Sequence, residues 1–137
     1  MKKIIFFSMT LLFLTSCSLN DDDSNNFSLD LLPVESVDIP EEFTLGEVYP
    51  IKVNYLKPST CHSFRDFYYS KKNNERTVAI INYDFDRNDC KDLEDDLTSA
   101  TFNFKVTGNG SYIFKFWQGE DENNEDQYLI IEVPVVE

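Results

Sequence analysis

Apolar and polar residues alternate with a period of two along most of this chain. Residues 47–56 (EVYPIKVNYL) set Ile51, Val53 and Tyr55 against Lys52 and Asn54. Residues 76–85 place Ala79, Ile81, Tyr83 and Phe85 on one face. Residues 98–107 set Ala100, Phe102, Phe104 and Val106 against Thr101, Asn103 and Lys105. The pattern recurs with Tyr112, Phe114 and Phe116 in residues 111–118, and with Leu129, Ile131, Val133 and Val135 in residues 127–136. Successive side chains of a strand point to opposite faces, so this alternation, rich in aromatic and β-branched residues, predicts half-buried strands. Further strands are expected at residues 34–39 and 61–70. Lys71-Lys72-Asn73-Asn74 and Gly108-Asn109-Gly110 supply turn signals, and residues 119–126 form an acidic loop. No stretch beyond residue 33 carries a helical period. About seven short strands in roughly 105 residues predict one all-β domain, residues 33–137, folded as an antiparallel β-sandwich.

The start of the chain reads differently. Lys2 and Lys3 precede an apolar run at residues 4–14. A run of about 11 residues suits a signal peptide and falls well short of the ~20 needed to span a bilayer. Residues 1–16 are therefore expected to be an address rather than part of the fold. Leu14-Thr15-Ser16-Cys17 resembles the lipobox of bacterial lipoproteins. In that family the cysteine thiol is alkylated with a diacylglyceryl group, the chain is cut before it, and the new amino group is acylated. The resemblance implies that Cys17 carries a lipid anchor in the bacterial outer membrane. Each buried methylene then contributes ~0.8 kcal/mol, and two or three chains hold stably where one does not.

Residues 17–32 are expected to be the lipidated cysteine and a flexible acidic tether. Residues 18–26 (SLNDDDSNN) are too polar to bury a core. The cluster Asp21-Asp22-Asp23 resembles the export signal of lipoproteins displayed on the outer face of the Gram-negative outer membrane. That resemblance implies a cell-surface location; a plain spacer on a periplasmic protein is the alternative.

Three cysteines are present. With Cys17 consumed by lipid, Cys61 and Cys90 remain as an even pair in an oxidising compartment, which predicts a disulfide. The alternative is metal binding by Cys61, His62 and Cys90, too few ligands for a closed zinc site without a carboxylate. Loss of Lys2 and Lys3 with the signal peptide takes the formal charge from −13 to −15. So acidic a domain repels phosphates, and no basic stripe offsets this, so nucleic acid is excluded as a partner. Anionic lipid would be repelled too, so membrane attachment falls to the anchor.

Gly110-Ser111-Tyr112-Ile113-Phe114 resembles the G-x-Y-x-C start of strand F in immunoglobulin domains, with Phe114 in place of the cysteine. The resemblance implies an immunoglobulin-like sandwich in which Tyr112 is a tyrosine corner, its hydroxyl returning to nearby backbone. Trp117 lies late in this strand rather than on strand C, and the cysteines do not occupy the family's B and F positions. The domain also resembles small bacterial surface lipoproteins carrying C-H-S-F and G-x-Y-x-F-x-F-W segments, here at residues 61–64 and 110–117. That resemblance implies no particular activity.

Candidate chemistry is sparse. His62 is the only histidine, and no G-x-S-x-G, H-E-x-x-H or glycine-rich phosphate loop occurs. No catalytic residue and no cofactor are expected. Asp84, Asp86, Asn88, Asp92 and Asp95 fall at positions 1, 3, 5, 9 and 12 of an EF-hand-like loop, which makes Asp84, Asp86 and Asn88 weak calcium candidates. Position 6 is Asp89 where the sharp turn needs glycine, and position 12 is an aspartate, so a solvated acidic loop is the plainer reading. Phe64, Phe67, Tyr68 and Tyr69 crowd one strand too densely for a single face. Phe67, Tyr68 and Tyr69 are thus candidates to stack on sugar rings or dock a protein. The expected function is a lipid-anchored, non-enzymatic binding or interaction module with a protein or glycan partner. The alternatives are a structural subunit of an envelope assembly and, further off, a small carboxylate hydrolase.

Overall fold

A computed structural model describes residues 26–137; Cys17 and Asp21 to Asp23 lie outside the described residues. The strands in chain order are β1 (Phe27–Leu32), β2 (Val34–Asp38), β3 (Phe43–Thr44), β4 (Val48–Leu56), β5 (His62–Lys72), β6 (Glu75–Phe85), β7 (Leu97–Lys105), β8 (Tyr112–Glu120), β9 (Asp126–Val133) and β10 (Val135–Val136). No helix occurs among the described residues. A five-stranded sheet (β1, β5, β6, β8, β9) faces a three-stranded sheet (β2-β4-β7), and β3 with β10 forms a short ribbon. All seven expected strands are present.

The core lies where the alternation sets it. Ile51, Val53 and Tyr55 of β4 and Phe104 of β7 meet Val78 and Ile80 of β6 and Tyr112, Phe114 and Phe116 of β8. Tyr112, Phe114, Phe104 and Phe43 form one aromatic cluster, with ring centroids 4.9–6.4 Å apart. The Tyr112 hydroxyl accepts from the backbone N–H of Thr107 (3.1 Å) and Gly108 (2.7 Å). Burial alone would raise the Tyr112 phenol, but these donors and the nearby Arg76 hold it below the usual range.

Three features depart from the expected arrangement. Residues 27–32, expected in the tether, form β1 and pair with β6 from Phe27–Phe85 to Leu32–Ile80. Pro33 then carries the chain across the sandwich, so Val34 pairs with Tyr55 of the other sheet. Second, the pairing is not antiparallel throughout: the five-stranded sheet is mixed. β6 and β8 pair in parallel, as do β3 and β10. A hairpin cannot join parallel strands; the β6–β8 connection runs through β7 in the opposite sheet. Third, β6 is apolar on both faces, and its core face is Val78, Ile80 and Asn82, not the expected face of Ala79, Ile81, Tyr83 and Phe85. Tyr83 and Phe85 instead stack on each other and meet Phe27 of β1 edge-on.

Candidate functional site

Strand β5 sorts the aromatic run to opposite sides. It is an edge strand whose one neighbour is β6, with Tyr69 opposite Val78, Tyr68 opposite Ala79 and Phe67 opposite Ile80. Phe67 and Tyr69 therefore point between the sheets, where each packs edge-on against Phe102. Tyr68 points outward. A register shift between Phe64 and Asp66 rotates Phe64 to the inner side, so its ring meets Phe67 at 5.1 Å.

On the outer face, Tyr68 belongs to an open cleft of about 380 Å3, inside the roughly 300–1,000 Å3 range of small-ligand sites. Ala79 forms its floor, Trp117 and Tyr128 face Tyr68, and Glu120 and Asp126 stand at one end. The small side chain of Ala79 makes the depression, since a larger residue there would level the row. Trp117 and Tyr128 are directly opposed across β8 and β9. Beyond them the pairing breaks until Glu120–Asp126, and Gly119 at the break takes φ +98°, a conformation that L side chains rarely adopt. This turn of the backbone brings Glu120 to the cleft.

The cleft is held in shape by its own polar contacts. Trp117 Nε1–H donates to Asp126 Oδ1 (2.8 Å), which fixes the indole. The Tyr128 hydroxyl lies 3.4 Å from Asp126 Oδ2, and Lys115 Nζ lies 4.7 Å from the Tyr128 ring centroid. Burial and the adjacent Asp126 carboxylate push the Tyr128 phenol up. Tyr68 is half exposed, and Leu29, Leu31 and Ile130 lie exposed on the same face. Flat rings beside carboxylate acceptors can take a ligand with one apolar face and hydroxyls at its edge.

The other predicted residues fall elsewhere. Cys61 and Cys90 form a disulfide with Cα atoms 5.4 Å apart, tying the start of β5 to the loop after β6. Both sulfurs being bonded, neither offers a thiolate to a metal. The Nδ1 of His62 meets Ser59 Oγ at 2.8 Å, and its Nε2 lies 3.4 Å from Asp30 Oδ2 and 3.8 Å from Asp84 Oδ1. Asp84 is thereby grouped with Asp30 and His62 at the end of the inner face. Asp86 donates its N–H to the Asn26 carbonyl, and Asn88 lies in the exposed loop that follows. Among the described residues, no third His, Cys, Asp or Glu donor converges on Asp84 and Asp86 together. The signal missed in the sequence was the row Tyr68, Ala79, Trp117 and Tyr128, whose members come from four strands. No protein family, curated protein or solved structure matches this chain.

Proposed function

We propose that the protein is a lipid-anchored, cell-surface binding module without enzymatic activity, and that its outer cleft takes a neutral saccharide. The observation that supports this reading is the open cleft of Tyr68, Trp117 and Tyr128 with Asp126 and Glu120 at its end. A sugar ring offers an apolar C–H face to the aromatic walls and hydroxyls to the carboxylates. The resemblance of Leu14-Thr15-Ser16-Cys17 to a lipobox supports the membrane-anchored part of this reading.

Trp117 is the only tryptophan, so its fluorescence reports on this cleft alone. Titration with a panel of neutral oligosaccharides should change that emission saturably. Tyr68→Ala should weaken binding about tenfold, the order expected when an aromatic contact is removed. A panel that leaves the emission unchanged, or binding indifferent to Tyr68→Ala, refutes the saccharide reading. A second reading, a structural subunit of an envelope assembly, is favoured by the exposed Leu29, Leu31 and Ile130 beside the cleft. Recovery of a stoichiometric partner after gentle membrane extraction, lost on Leu31→Ser, would support it.

A further inference from the structure

A second cleft, of about 480 Å3, is lined by β5 and β7, which are edge strands among the described residues. Its apolar walls are Phe67, Tyr69, Phe102 and Phe104. Arg76, on the inner side of β6, lines it and is 8% exposed. Its Nη1 donates to the backbone carbonyls of Asn73 (2.9 Å) and Glu75 (2.7 Å). The guanidinium carbon lies 4.9 Å from the Tyr112 ring centroid and 6.0 Å from that of Phe104. No carboxylate of the described residues lies within ion-pairing distance of it.

Buried charges in proteins are ordinarily paired, because removing an ion from water costs several kcal/mol that only a counter-charge or dense hydrogen bonding offsets. Two carbonyls and two ring faces satisfy part of this cation. Among the described residues its Nε and Nη2 meet no carboxylate or backbone carbonyl, and the Tyr69 hydroxyl on the cleft wall is close enough to interact with the guanidinium. Nε and Nη2 form the side-on edge of the guanidinium, the fork that grips a carboxylate through two parallel hydrogen bonds. Lys71 and Lys105 flank the same cleft, and Lys105 is steadied by the Gly46 carbonyl. Asp66 is the one acid on the lining, and its carboxylate accepts from the Phe67 N–H. Three cations thus gather at one opening in a chain of net charge −13.

We propose that this cleft is a second binding site, for a small organic carboxylate with an apolar body. The carboxylate docks on the Nε–Nη2 edge of Arg76, and the body lies among Phe67, Tyr69, Phe102 and Phe104. An acidic protein does not draw anions from a distance. Retention therefore rests on close contact, and the apolar walls select against inorganic anions.

The test uses the detergent-solubilised full chain, with empty micelles as the blank, and phenylacetate as the probe. Phenylacetate should shift the Arg76 Nε–H resonance saturably and bind at least about tenfold more tightly than phenylacetamide, which lacks the charge for the fork. Arg76→Lys keeps the charge but loses the fork and should weaken binding by about tenfold. Should that variant fail to fold, the exposed pair Lys71→Gln with Lys105→Gln should still cost roughly threefold, a screened surface effect. Trp117 emission should not respond, which separates this site from the outer cleft. Equal binding of phenylacetamide, equal binding of sulfate, or an unmoved Arg76 resonance overturns the proposal.

Discussion

Reduction of the Cys61–Cys90 bridge should lower stability substantially and leave the strands in place. The cysteines are 29 residues apart, and the closed loop contains the β5–β6 hairpin. Chain-entropy reasoning for a loop of that size gives about 12 cal/mol/K, or ~3.6 kcal/mol at 25 °C. The native state needs little rearrangement when the bond opens, because other contacts hold the same junction. Thr60 N–H donates to the Lys91 carbonyl (2.9 Å), Lys91 N–H to Thr60 Oγ1 (3.0 Å) and Leu93 N–H to the Pro58 carbonyl (2.9 Å). Ser59 and Asp92 add an isolated bridge. The effect therefore falls on the unfolded chain, which gains freedom. For a domain of roughly 110 residues, ~3.6 kcal/mol corresponds to about 15 °C in Tm. Urea unfolding of oxidised and reduced protein measures the difference directly, and far-ultraviolet circular dichroism checks that strand content is unchanged. A loss below about 1 kcal/mol would refute the reasoning. So would two reactive thiols, besides Cys17, in the natively exported protein.

Three further predictions concern separate parts of the chain. Gly108→Ala places a Cβ 3.1 Å from the Tyr112 hydroxyl; displacing that oxygen from two N–H donors should cost about 1–3 kcal/mol in urea unfolding. Gly110→Ala meets nothing within 4 Å and should be neutral; equal effects of the two would discredit the tyrosine contact as the cause. Cys17→Ala should move the protein out of the membrane fraction or leave an uncleaved precursor, and an unlipidated wild-type N-terminal peptide in mass spectrometry would sink the anchor. Calcium should raise Tm no more than magnesium does at matched ionic strength. A true site filled at 100 times its Kd would add ~2.7 kcal/mol, so a saturable calcium-only shift abolished by Asp86→Ala would make the loop after β6 a metal site.

Much of the fold was legible because period-two alternation is a local signal. Ile51, Val53 and Tyr55, or Tyr112, Phe114 and Phe116, declare their core face within a single strand. β1 also alternates, in Phe27, Leu29 and Leu31, but that apolar row faces outward while Leu32 enters the core, and the acidic stretch just before it makes the segment read as tether. β3 and β10, at two residues each, are too short to show any period. The core face of β6 could not be chosen from sequence, because Val78 and Ile80 on one side and Ala79 and Ile81 on the other are equally apolar. Register against β5 and β8 made that choice.

The all-β class, the turns, the acidic charge and, with Cys17 set aside, the pairing of Cys61 with Cys90 could all be read along the chain. Each depends on neighbours along the chain or on simple counting. What the aromatics do depends on packing between strands. A strand's alternation separates Tyr68 from Phe67 and Tyr69, but it does not say which side will be covered. That depended on β7 lying opposite β5, with Phe102 meeting the two inward rings, while Tyr68 faced Trp117 and Tyr128 from strands far along the chain. Arg76 likewise reads as an ordinary residue beside a turn. Closure of two sheets buried most of its side chain without supplying a carboxylate, and no local pattern encodes that.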